Sequence, residues 1–62
     1  MNKEHEIQPL AFSLRDLSRT LGVSVSFLRL EIGRGKLQPT YLGRRVVVTR
    51  INVDLYLSHQ NG

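Results

Sequence analysis

The side chains whose spacing suggests chemistry in this 62-residue chain are mostly cationic. Arg15 and Arg19 stand four apart, Ser26 and Arg29 three apart, Arg34 and Lys36 two apart, and Arg44 and Arg45 side by side. A guanidinium presents a planar fork of N–H donors and no acceptor. It therefore pairs with carboxylates, phosphates or the O6 and N7 of guanine, and does not shuttle protons near neutral pH. Groups that do move protons or attack bonds lack company here. His5 and His59 lie at opposite ends of the chain without a partner set, there is no cysteine, and no pair of carboxylates stands near a histidine. Gly33-Arg34-Gly35 is too short, and too late in its helix, to cradle a nucleotide phosphate. The available chemistry is recognition of an anion. No catalytic residue, metal ligand or cofactor is expected.

The distribution of charge points the same way. Nine Lys and Arg against five Asp and Glu give a net charge of +4. Eight of those bases fall between Arg15 and Arg50, with only Asp16 and Glu31 among them, while Glu4, Glu6 and Asp54 lie outside. A basic centre with acidic margins fits a polyanionic partner, and double-stranded DNA leads the candidates. The same charges otherwise serve only to keep a surface soluble. The length allows one domain with a small core. Without cysteine neither a disulfide framework nor a thiolate zinc site can staple it. No apolar run approaches the roughly 18 residues of a membrane span, and Met1 to Gln8 lacks the apolar core of a signal peptide. The expectation is a cytoplasmic protein with no membrane partner.

The elements that must position these bases centre on the stretch from Leu14 to Arg34. Leu14, Leu17 and Leu21 share one helical face, and Leu28 and Ile32 do the same for a second helix. Between them, Gly22 suits a left-handed C-cap and Ser24 an N-cap. Two short helices joined this tightly follow the helix-turn-helix plan. Ser13 and Asp16 fit a capping box at the start of the first helix, about Leu14 to Leu21. That N-terminus can hold a phosphate, with Ser13 beside it and Arg15 and Arg19 either flanking the same backbone strand or simply solvated. The second helix is expected over about Val25 to Arg34. Leu28 and Ile32 point inward, while Ser26, Arg29, Leu30 and Gly33 spread over the opposite face, and Phe27 and Glu31 lie at its side, Phe27 partly buried against the first helix. Ser26 and Arg29 are the candidate base or phosphate contacts. Leu30 either touches a thymine methyl or packs on protein.

Beyond the second helix, Thr40-Tyr41-Leu42 and Arg45-Val46-Val47-Val48-Thr49 are β-prone runs separated by Gly43-Arg44, which predicts a hairpin with a type II′ turn. Alternation would turn Leu42, Val46 and Val48 to the core and Tyr41, Arg45 and Val47 outward. The tip would carry Arg44 and Arg45, able to enter a minor groove or clamp phosphates. Thr49 can cap a last helix whose apolar side comes from Ile51, Val53, Leu55 and Tyr56. The expected fold is α+β, with two helices, a two-stranded hairpin and a short C-terminal helix. A flexible arm takes residues 1–10, the domain residues 11–58, and a frayed end residues 59–62.

Taken in order, Phe12-Ser13-Leu14, Leu21-Gly22-Val23-Ser24, Gly35-Lys36-Leu37, Gly43-Arg44-Arg45 and Val48-Thr49-Arg50 resemble the excisionase-type, MerR-like family of winged helix-turn-helix DNA-binding domains. The resemblance spans roughly Ala11 to Leu57. It implies that Ser24, Val25, Ser26, Arg29 and Leu30 serve the helix in the major groove, and that the Gly43-Arg44-Arg45 hairpin is a wing on the adjacent minor groove, with Arg44 and Arg45 at work there. Beside these, Arg34 is expected with the helix, Tyr41 with the wing, and Ser13, Arg15, Arg19 and Lys36 at phosphates. Family helices often carry an aromatic residue where Arg29 stands, a base at Leu30 and an apolar residue at Glu31. The wing commonly has an aromatic residue at Val46. Base preference therefore does not transfer.

Larger MerR-like regulators add a long dimerising helix and an effector domain, which this sequence lacks, so no small-molecule effector is expected. The resemblance implies an excisionase, or recombination directionality factor: copies bind adjacent repeats cooperatively, bend the DNA and direct an integrase toward excision in a bacterial host cell. The alternatives are a small phage or plasmid repressor and, in another class, a protein-interaction antirepressor on the same scaffold.

Overall fold

The computed structural model describes residues 10–60. In chain order the elements are β1 (Ala11–Ser13), α1 (Leu14–Leu21), α2 (Val25–Gly33), β2 (Thr40–Leu42), β3 (Arg45–Thr49) and α3 (Arg50–Gln60). The expected arm, with His5, falls on residues outside the described set apart from Leu10, which is exposed.

Local chemistry sets the helix boundaries. Ser13 is extended, and its Oγ accepts the Asp16 N–H at 3.1 Å, satisfying one of the free donors of α1. The reciprocal half of the capping box is missing among the described residues. Asp16 instead faces Arg19 across 3.9 Å. At the other end Gly22 takes φ 73°, and its N–H donates to the Ser18 carbonyl at 2.8 Å. Ser18 Oγ donates to the Val23 carbonyl, closing the turn. Ser24 then caps α2 by accepting the Phe27 N–H at 3.0 Å. Gly35, at φ 78°, follows the end of α2 and sends the chain back toward the sheet.

The core gathers Leu14, Leu17, Leu28, Leu37, Val48, Val53 and Tyr56, with Phe12, Leu21, Val23, Val25, Ile32 and Val46 packed around it. The two leucine faces expected of α1 and α2 therefore meet as the spacing predicts. Leu37, fully buried, joins them from the loop after α2.

The sheet departs from expectation. It has three antiparallel strands in the order β1-β3-β2, because Phe12 pairs with Val48 and Ser13 with Val47 on the free side of β3. The hairpin itself is as predicted. Leu42 pairs with Arg45, and φ is 62° at Gly43 while Arg44 has no positive φ, which meets the φ requirement of a type II′ turn. The same pairing corrects the face assignment. A two-residue turn puts Leu42 directly opposite Arg45, so Leu42 lies on the face of Val47, away from Val46 and Val48, and is 59% exposed. Val47, expected outward, is buried at the centre of the sheet, with register partners Ser13 and Thr40 on either side.

Helix α3 is capped by Thr49, whose Oγ1 accepts the Asn52 N–H at 3.3 Å. Only Val53 and Tyr56 of its four expected apolar residues are buried. Ile51 is 72% exposed and Leu55 is also exposed, because residues three apart share one face and these two fall on the other. The helix continues to Gln60, so Ser58, His59 and Gln60 belong to it, and the rest of the predicted frayed end, residues 61–62, lies outside the described residues. The result is a small α+β winged helix-turn-helix, with α1 and α2 as the helix pair, β2 and β3 as the wing and β1 as an added strand.

Candidate nucleic-acid interface

Helix α2 buries Leu28 completely and Ile32 partly, which leaves Ser26, Arg29, Leu30 and Gly33 exposed on its outer side. This is the division the 3.6-residue period predicts. Phe27 is 39% exposed, at the margin between the two faces. Val25 differs from its expected role in one respect. It is half-buried and packed against the core, so only part of its surface faces outward. Ser24 is exposed, but its hydroxyl oxygen already accepts from Phe27. It keeps a hydroxyl hydrogen to donate.

At the wing, Tyr41, Gly43, Arg44 and Arg45 are all exposed. The hairpin projects beyond the core, which is why Tyr41 stands in solvent although its register partner Val46 is half-buried. On α1, Arg15 and Arg19 are exposed, and Ser13 is half-buried with its oxygen engaged by Asp16. Lys36 is exposed in the loop after α2. The predicted site residues thus lie on β1, α1, α2, β2 and β3 and in the connections that join α1 to α2, α2 to β2 and β2 to β3. Among the described residues, ion pairs within 4 Å involve only Arg19 with Asp16 and Arg34 with Glu31.

The Arg34 pair shows what periodicity alone did not. Glu31, expected at the side of α2, is 3% exposed, the one buried charged residue among those described. Its Oε2 lies 3.3 Å from Arg34 Nη1, and its Oε1 accepts the Tyr56 hydroxyl at 2.8 Å. Burial raises the Tyr56 pKa above its ordinary value of 10.0, and the hydrogen bond to Glu31 and the carboxylate charge push it the same way. Glu31 sits three residues after Leu28, on the flank of the apolar stripe, and that position was the available signal for its burial. Nothing local ties it to Tyr56, which is 25 residues away in sequence.

A groove between the loop after α2 and α3 is lined by Lys36, Gln38, Asn52, Leu55, Tyr56 and His59. Asn52 Nδ2 donates to the Gln38 carbonyl and Gln38 Nε2 to that of Gly35, so its polar groups tie loop to helix. Among the described residues no three His, Cys, Asp or Glu side chains converge as a metal site would require, and no helix is long and apolar enough to cross a membrane. The surface is rich in cationic and hydroxyl donors. No protein-family model, curated protein or solved structure matches the chain.

Proposed function

We propose that this chain is a sequence-specific DNA-binding architectural protein of the excisionase type. Copies bind repeats near an attachment site, bend the duplex and promote integrase-mediated excision of a mobile element or prophage. The observation that carries the reading is the exposure of Arg29 on α2 together with Arg44 and Arg45 at the wing tip, beside a helix whose first turn is capped by Ser24. A helix presenting serine and arginine can read base edges in a major groove, while paired guanidiniums on a ribbon favour the narrow, negative minor groove beside it. Smooth bending of a site takes of order 1–6 kcal/mol, which contacts from helix and wing together can offset.

The test is a gel-shift titration on duplexes from the attachment region or promoter beside the gene, with scrambled competitor and two salt concentrations. A ladder of successive cooperative shifts supports the excisionase reading, and addition of the cognate integrase should then favour excision. One discrete shift supports a simple repressor. The exposure of Phe27, Leu30 and Tyr41 favours a second reading, a protein-interaction antirepressor. Absence of any specific, salt-sensitive shift would support that one.

A further inference from the structure

A buried carboxylate is costly unless its oxygens are bonded, and Glu31 has both engaged. The two partners come from different places. Tyr56 belongs to α3, is 6% exposed and sits in the core cluster. Arg34 is the C-cap residue of α2, and its side chain is 53% exposed. The chain of contacts therefore runs from the rigid interior, through the Tyr56 hydroxyl and the Glu31 carboxylate, to a guanidinium at the border of the outward face of α2. The Glu31 bond takes one of the five guanidinium N–H groups. The others remain for an anion, and a side chain held before binding loses less rotamer freedom when it binds.

We propose that Glu31 and Tyr56 are positioning residues that pre-orient Arg34 onto a single backbone phosphate of duplex DNA. The proposal rests on the DNA-binding reading above. It gives Glu31, a buried acid beneath a basic surface, a part in binding. The fork of arginine suits phosphate oxygens, and the C-terminal end of a helix favours a cation at that point.

Tyr56→Phe is the informative variant because it removes the anchor and leaves every charge in place. Anisotropy titrations of the intact chain with a fluorescein-labelled random-sequence duplex, between about 50 and 200 mM salt, compare the parent with four variants. These are Tyr56→Phe, Arg34→Ala, Arg34→Lys and the Tyr56→Phe/Arg34→Ala pair, each confirmed folded by circular dichroism at the assay temperature. Should Tyr56→Phe unfold there, Glu31→Gln takes its place in the cycle, since its amide still accepts from Tyr56 but no longer pairs with Arg34.

Arg34→Ala is expected to lower the slope of log K against log salt by about one unit. Arg34→Lys should restore the slope. Tyr56→Phe should weaken binding about two- to fivefold, the worth of an exposed ion pair, and should weaken it no further when Arg34 is already alanine. An unchanged slope in Arg34→Ala, or a Tyr56→Phe loss that persists without Arg34, overturns the proposal while the parent still binds. A parent without salt-sensitive binding overturns the DNA-binding reading and this proposal with it.

Discussion

Removing the Tyr56 hydroxyl should destabilise the domain far more than the loss of one oxygen atom suggests. Tyr56→Phe keeps the ring in the core but strips Glu31 Oε1 of its 2.8 Å donor, at a carboxylate only 3% exposed. Arg34 remains on the other oxygen. A hydrogen bond to a charged group contributes about 1.5–3 kcal/mol, and a buried oxygen left bare stands at the upper end of such effects. A chain of this length holds about 3–9 kcal/mol in all, so the loss is a large share. At about 4–8 °C per kcal/mol for a domain of this size, the melting temperature should fall by about 6–24 °C.

The informative companion is Glu31→Met/Tyr56→Phe, which replaces both buried partners by apolar groups and leaves Arg34 in solvent. It should melt within about 1 kcal/mol of the parent or above it, because no buried charge then lacks a partner. Thermal melts by circular dichroism of the two single variants and the double variant complete the cycle. A Tyr56→Phe melt within about 2 °C of the parent, or a double variant as unstable as the two singles summed, would refute the reasoning. The same pair sets an alkaline limit. Tyr56 holds its proton more tightly folded than unfolded, so its contribution is intact below the ordinary value of 10.0 and is lost as pH rises through the raised folded value. Denaturant melts should show stability falling above about pH 10 in the parent, and a shallower fall in Tyr56→Phe.

Three further outcomes test the core and the wing. Leu28→Ala and Leu17→Ala each vacate a fully buried site and should lose about 2–5 kcal/mol, enough to unfold much of the population; parent-like melting would sink the helix pairing. Arg44→Ala/Arg45→Ala should melt like the parent, since both residues are exposed at the tip, yet lower the salt slope of duplex binding by about two units. Gly43→Ala meets open space at its new Cβ but keeps a backbone at φ 62°, so it should lose about 1–2 kcal/mol from strain alone; an unchanged melting curve would mean that the turn relaxes.

What could be read from the chain follows from interactions that are local. The caps at Ser13, Ser24 and Thr49 bond to N–H groups three residues on, and Gly22 and Gly43 supply the positive φ their turns need. Their sequence neighbours are also their structural partners, so the helix starts, the helix-turn-helix turn and the wing turn were all legible. So was the inward face of α1 and α2, because a fixed 3.6-residue period needs no knowledge of what it packs against. The pairing of Leu42 with Arg45 was legible too, although strand alternation alone put Leu42 on the core face with Val46 and Val48. The predicted two-residue turn already places Leu42 opposite Arg45, and alternation along one strand has to be read together with the register across it.

The tertiary structure alone decided the rest. Ala11–Ser13 is too short to announce a strand, and it becomes one only because β3 offers a free edge; that same pairing sets Ser13 beside Val47, which is buried. Helix α3 carries apolar residues on both sides, so which side packs depends on what lies beneath it, and Val53 and Tyr56 prevail over Ile51 and Leu55. Glu31 would be an ordinary surface acid on an isolated helix. It is buried because Tyr56, 25 residues on, arrives with a hydroxyl that can satisfy it. Long-range partners of this kind leave no periodic trace in a sequence, since their meeting is fixed by the packing of the whole core and by no spacing within either helix.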